Sequence, residues 1–281
     1  MQKLFNKILI PVDFSPVSKR LLEKAVEMAL QYNCTIHLLH VMPNYVAAYC
    51  ALVRGGMMLP LDAIDDNPAI EKAMEKMCGH IPEKLKDASN PWYTIQAGNW
   101  DDAIINLVQA DYFDLVLIDR ESLLLSAKRI ALDPDKIAQK TGVPVISLPA
   151  ESRLGKLGSI VIPVTNFLPL RKLIYGIYMA QASNIVLKLV GIENKTNAKV
   201  GYYLAKCFSL VRDNCSLQVE LEMTESNNVA EGIKSFAGSH ATDLIIVNPG
   251  TQTKMQSFFA RLTRGSLQKY SIPPVLTVSP A

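Results

Sequence analysis

The sequence predicts an α/β protein made of two tandem, doubly wound, five-stranded parallel sheets, and three observations predict it. Runs such as Lys7-Ile8-Leu9-Ile10-Pro11-Val12 and Asp114-Leu115-Val116-Leu117-Ile118 are apolar without a polar face, the pattern of strands covered on both sides. Segments with apolar residues at helical spacing separate such runs, which makes the connections crossovers and the strands parallel. The whole pattern then restarts: Ser159 to Val164 repeats Lys7 to Val12, Asp243 to Val247 answers Asp114 to Ile118, and Pro274-Val275-Leu276 answers Pro144-Val145-Ile146.

Taken in order, the first strand closes on Asp13, where Ser15 suits a helix cap and Pro16 a first helical turn. Leu21, Leu22, Ala25, Val26 and Ala29 mark one stripe of that helix, and Thr35 to Val41 is the second strand. Residues 43–66 read as an apolar loop containing Tyr45, Tyr49, Met57, Met58 and Leu59, either packed over the sheet or serving as a lid or partner surface. The periodicity of Ile70, Ala73, Met74, Met77 and Ile81 predicts a helix over 68–88. Strands at 92–97, 114–118 and 143–148 alternate with helices at 101–109 and 135–141, the last ended by Gly142.

The polar, glycine-bearing run ESRLGKLG, residues 151–158, suits a linker between a first domain at 1–150 and a second at 159–281. In the second copy Leu170, Leu173, Ile174, Ile177 and Tyr178 trace a helical face, and Ile185 to Ile192 parallels the second strand. The copy is shorter mainly because it lacks the apolar loop.

With 281 residues, 49% of them apolar and 20% charged, each half is able to bury its own core. A net charge of +3, with no basic cluster interleaved with aromatics, argues against a nucleic-acid partner. No apolar stretch reaches the ~18 residues of a membrane helix, and the first seven residues run straight into a strand, so a cytoplasmic protein without a membrane partner is expected. Cys34, Cys50, Cys78, Cys207 and Cys215 lack CxxC spacing and are expected as free thiols. No metal site is expected, because His37 and His40 fall on opposite faces of one strand with no further ligand at suitable spacing.

The strand-end signature Ile10-Pro11-Val12-Asp13-Phe14-Ser15, the helix after it and the strand Leu38-Leu39-His40-Val41 resemble the universal stress proteins. With the later segments, the resemblance covers nearly the whole chain in two copies. It implies an adenine nucleotide alpha hydrolase-like fold with strand order 3-2-1-4-5, whose fifth strands pair across a two-fold axis into an internal pseudo-dimer. It also implies a stress-response role and, in ATP-binding members, an Asp after strand one and a Gly-x2-Gly-x9-Gly-Ser/Thr pattern after strand four.

An open α/β sheet binds ligands outside the carboxyl ends of its strands where the strand order reverses. In the first half, Pro11, Val12, Asp13 and Val41 stand on the nucleoside side; Asp13 is open to a second reading as a polar cap of the strand end. The stretch Arg120 to Lys140 holds no glycine to cradle phosphates, although Lys128 and Arg129 bring charge. In the second half the glycines return: Gly250 and Thr251 lead through Thr253 and Lys254 to Arg261, Gly265 and Ser266. Thr253 stands in place of the middle glycine, eleven residues (254–264) precede Gly265, and Thr165 stands where the family has Asp. Ile192 ends the second strand of that copy.

Each half thus lacks a different part of a nucleotide site. The sequence is expected to encode a non-enzymatic regulatory or interaction module with degenerate sites, no catalytic residues, an unidentified protein partner and the capacity to homodimerise. The alternative is a sensor of ATP or AMP, with Mg, acting mainly through the second half. An enzyme such as an ATP pyrophosphatase is disfavoured, because the turn after strand one lacks the Ser-Gly-Gly-x-Asp-Ser loop of those enzymes.

Overall fold

The computed structural model describes residues 3–42, 67–87, 92–120, 132–149, 152, 154, 157–182, 185–193, 198–249 and 273–280. The loop 43–66, Cys50, Lys128, Arg129 and the segment 250–272 lie outside them. The first half contributes β1 (Lys7–Pro11), β2 (Thr35–Met42), β3 (Tyr93–Ala97), β4 (Leu115–Asp119) and β5 (Val145–Leu148). The second contributes β6 (Ser159–Val164), β7 (Val186–Glu193), β8 (Val219–Glu225), β9 (Leu244–Val247) and β10 (Val275–Thr277). All join one sheet in the order β3-β2-β1-β4-β5-β10-β9-β6-β7-β8.

Every pairing is parallel except β5 with β10, where Val145 lies opposite Thr277 and Ser147 opposite Val275. Read outward from that antiparallel seam, both halves run through the same sequence of strands, as the resemblance implied. An acid at the start of each fourth strand repeats the same anchor. Asp114 Oδ2 accepts the N–H groups of Asn6 at 2.8 Å and Lys7 at 3.1 Å, and Asp243 Oδ2 accepts those of Gly158 and Ser159, both at 2.9 Å.

The helices are α1 (Pro16–Tyr32), α2 (Asn67–Cys78), α3 (Trp100–Ala110), α4 (Pro134–Thr141), α5 (Leu170–Gln181), α6 (Val200–Asn214) and α7 (Val229–Ser239). Ser15 caps α1, its Oγ accepting the Ser18 N–H at 3.2 Å, and Gly142 ends α4 at φ 71. The helix expected over 68–88 stops at Cys78. Gly79 and Pro82 explain this: proline has no N–H to continue the ladder and disfavours helical backbone before it, so the chain resumes as a short 3₁₀ turn, Glu83–Leu85.

The stripe expected on α5 is rotated. Leu170 and Ile174 are exposed, while Lys172, Leu173, Gly176, Ile177, Met179 and Ala180 are buried. Gly176 sets this face, because a Cβ there would lie 2.6 Å from Ile162 Cδ1 and 3.2 Å from Leu187 Cδ1. The helix approaches the sheet there more closely than a larger residue allows.

The core lies on both sides of the sheet. On one side a continuous cluster spans both halves, joining Ile10, Leu38 and Leu117 to Ile162, Leu187 and Leu276 under α1, α2, α5 and α6. On the other, two separate clusters form, one around Leu39, Val116, Ile104 and Ile137, the other around Val190, Ile245, Ile233 and Phe236. The linker is docked as well, since Leu154 and Leu157 are buried.

Candidate functional site

The strand order reverses between β1 and β4 in the first half and between β6 and β9 in the second. At the first reversal Val12 donates its N–H to the Leu39 carbonyl at 2.8 Å, and its own carbonyl accepts from His40 Nδ1 at 2.8 Å. Since a carbonyl only accepts, the imidazole carries its hydrogen on Nδ1. Burial lowers the His40 pKa, so the ring is neutral at pH 7. Phe14 lies against His40 with ring centroids 4.4 Å apart, and Trp100 meets the same imidazole edge-on at 5.9 Å.

Asp13 is engaged in the turn that follows. Its Oδ1 accepts the Ser18 hydroxyl at 2.6 Å and the Ser15 N–H at 3.1 Å, while its own N–H donates to Ser18 Oγ at 3.0 Å. Phe14 sits inside this network at φ 62, a left-handed conformation that costs a residue with a Cβ roughly 1–2 kcal/mol. The Asp13–Ser15–Ser18 bonds hold the turn in place against that cost.

At the end of β4 two charged side chains are buried. Asp119 and Arg120 are 2% and 3% exposed. The guanidinium donates to the Pro273 carbonyl at 3.0 Å and the Ser147 carbonyl at 3.4 Å, so it spans the seam between the halves. Burial lowers the Arg120 pKa, and the Asp119 carboxylate opposes that.

The second reversal has different contents. Thr165 follows β6 and is buried, and Ile192 is a core residue of β7 packed over Gly232. Asn248 follows β9 at 3% exposure, and its Oδ1 accepts no hydrogen bond from a described residue. Gly250, Thr251, Thr253, Lys254, Arg261, Gly265 and Ser266 fall outside the described residues.

Among the expected site residues, Pro11, Val12 and Asp13 come together at the carboxyl end of β1, with Val41 close by on β2 but turned into the core beside Trp100. Sequence reasoning did not single out Trp100. Asn248 opens the stretch after the fourth strand of the second copy, where the switch-point rule already points, and it aligns with Asp119, each five residues after a strand-opening Asp.

Two doubly wound halves joined in one ten-stranded sheet, with polar residues at their topological switch points, place the chain among the α/β proteins built on such sheets. The universal stress protein family model matches residues 4–146, just over half of the chain, and the chain belongs to that family. Universal stress protein A of Salmonella typhi is 53% identical over 49 residues, covering 17% of this chain and 34% of that protein. Its counterpart in Escherichia coli K12 is 51% identical over the same length, with the same coverage. The matched stretch thus spans about a third of these curated relatives.

Among solved structures, a universal stress protein from Archaeoglobus fulgidus DSM 4304 superposes with a TM-score of 0.60 at 12% identity, covering 98% of both chains. A functionally unknown protein from Pseudomonas aeruginosa PAO1 gives 0.55 at 15% identity, covering 98% of this chain and 93% of that one. At these identities the likeness is one of fold. Among the described residues no helix is long and apolar enough to cross a membrane.

Proposed function

We propose that this universal stress protein acts as a non-enzymatic regulatory or interaction module of the stress response, cytoplasmic, with degenerate nucleotide sites. Its working units are two domains, 1–150 and 159–281, joined by residues 151–158. The observation that carries this reading is the commitment of the first switch point to internal bonds. Asp13 holds Ser15 and Ser18, and Arg120 stands buried on the carbonyls of Ser147 and Pro273. Groups so engaged are costly to redirect toward a ligand, since each buried polar group left unpaired costs ~1–3 kcal/mol.

One observation favours a second reading, a sensor of ATP or AMP working through the second half. Asn248 Oδ1, buried and without a donor among the described residues, is the kind of acceptor a ligand satisfies. In that reading the fit rests on Thr165 and Asn248 together with the glycine-bearing segment from Gly250 to Ser266.

Calorimetric titration of nucleotide-free protein with ATP and AMP, with and without magnesium, separates the two. The module predicts neither heat nor a shift in melting temperature up to millimolar ligand, and a protein partner or a second copy of the chain becomes the object of search. Saturable binding near one site per chain, weakened by Gly265→Val or Lys254→Ala, overturns the module in favour of the sensor.

A further inference from the structure

The two ends of the sheet are built differently. β3, at one end, carries no charged residue and leaves only Ala97 exposed. β8, at the other, reads VELEMTE from Val219 to Glu225, with Leu221 41% and Met223 47% exposed. Among the described residues it pairs with β7 alone.

The register fixes which backbone groups of β8 are bonded to β7. Leu187 donates its N–H to the Gln218 carbonyl at 2.9 Å, and Ser226 donates to the Glu193 carbonyl at 3.0 Å, so the even-numbered residues from 218 to 226 face β7. A parallel ladder uses alternate residues, and the N–H and C=O groups of Val219, Leu221, Met223 and Glu225 therefore point away from the sheet. On the α6 side, Val219 packs against the shared core, and Met223 lies across Gly191 beside Val200 and Leu204, the absent Cβ making room for its sulfur. Glutamates occupy the other side. Glu220 Oε2 lies 3.6 Å from Lys188 Nζ, and Glu222 Oε2 lies 3.4 Å from His240 Nε2, a ring that is a cation only when protonated.

We propose that the outer edge of β8 is a docking site for an extended, basic segment of a partner protein. That segment adds a further strand to the sheet, with apolar residues on the α6 side and lysine or arginine opposite the glutamates. Main-chain bonds to the outward groups supply affinity, Leu221 and Met223 receive alternate side chains, and the acids select the sign of the others. A second copy of the chain is disfavoured as occupant. The register that sets Leu221 opposite Met223 of the copy sets Glu222 opposite Glu222, and like charges directly opposite destabilise a strand pair. The edge lies two strands beyond β6 and the second switch point, so it gives the interaction module a surface of its own and rests on that reading of the protein.

The probe is a labelled peptide of about ten residues alternating valine and lysine, titrated into the full chain by fluorescence anisotropy, with hydrogen exchange of individual amides read alongside. Saturable binding is expected. The amides of Leu221 and Met223, which face away from β7, should slow on addition of peptide, while those of Glu220 and Glu222, already bonded to β7, change little. Leu221→Pro removes one outward N–H and leaves the β7 ladder in place, a substitution that edge strands tolerate, and Glu222→Lys reverses the charge; each should weaken binding about tenfold. Absence of binding up to millimolar peptide overturns the proposal, as does binding that leaves the Leu221 and Met223 amides unprotected or equal binding of a peptide alternating valine and glutamate. Should Leu221→Pro not fold, the wild-type amides decide. If those amides slow with protein concentration alone, a second copy is the occupant and the proposal also falls. The calorimetric titration with nucleotide tests the module itself, so failure of the surface and failure of the module are read in separate experiments.

Discussion

Two buried side chains in equivalent helices show what a single residue does to the energetics here. Leu21 contributes apolar burial without a polar cost, whereas Lys172 reaches the same depth with its Nζ on the Pro163 carbonyl at 2.6 Å and with burial lowering its pKa to about 7. Lys172→Met keeps the length of the side chain and removes that cost, so urea unfolding at pH 7 should find the variant more stable by a few kcal/mol. The difference should shrink as pH rises toward ~10, where the unfolded chain also loses its proton. The anchoring acids behave in the opposite sense. Asp114→Ala and Asp243→Ala each leave two strand-opening N–H groups without their acceptor and should cost about 1–3 kcal/mol apiece in the same assay. Similar losses are expected in both halves because the geometry repeats.

At the scale of elements, α4 is short and depends on its ends. Asp133 Oδ1 accepts the N–H groups of Asp135 and Lys136, and Gly142 closes the helix at φ 71 with open space where a Cβ would point. Gly142→Ala therefore meets a backbone penalty and no clash, and should lower stability by about 1 kcal/mol in a thermal melt, with Gly142→Asn losing less. The Gly142 end was legible in the sequence, as were the Ser15 cap and every strand whose apolar run is unbroken, whereas the Asp133 cap was not read. Burial on both faces of the sheet leaves a pattern that periodicity detects.

Three things were not legible. The rotation of α5 is set by the approach of Gly176 to Ile162, a contact between residues fourteen positions apart that no helical stripe encodes. The engagement of Asp13 by Ser18 depends on the turn at Phe14 adopting a left-handed conformation, which an aromatic residue does not announce. The elements α6, β8 and α7 went unread between the two recognised strands of the second copy, although the alternation in Val219 to Glu225 is that of a half-exposed edge strand.

The molecule as a whole is joined by more than its sheet. Phe5, fully buried before β1, meets Tyr32 of α1 edge-on at 5.5 Å, stacks on Tyr175 of α5 at 5.8 Å and meets Tyr178 edge-on at 5.3 Å. One ring from the first half is thus packed among three tyrosines drawn from both. The same side of the sheet carries a core continuous across the seam, and Arg171 and Arg120 donate across it. Halves sharing a core lose its burial together, so opening one exposes apolar surface of the other and raises the cost of any half-unfolded state. Calorimetric unfolding of the intact chain should accordingly be one transition, with a van't Hoff enthalpy close to the calorimetric one. Phe5→Ala removes the ring that both halves share and should cost about 3–5 kcal/mol. If the shared core is what couples the halves, that variant should also broaden or split the transition. A wild-type enthalpy ratio near one half would instead mean that the halves melt independently, and that the seam orients them without binding their stabilities together.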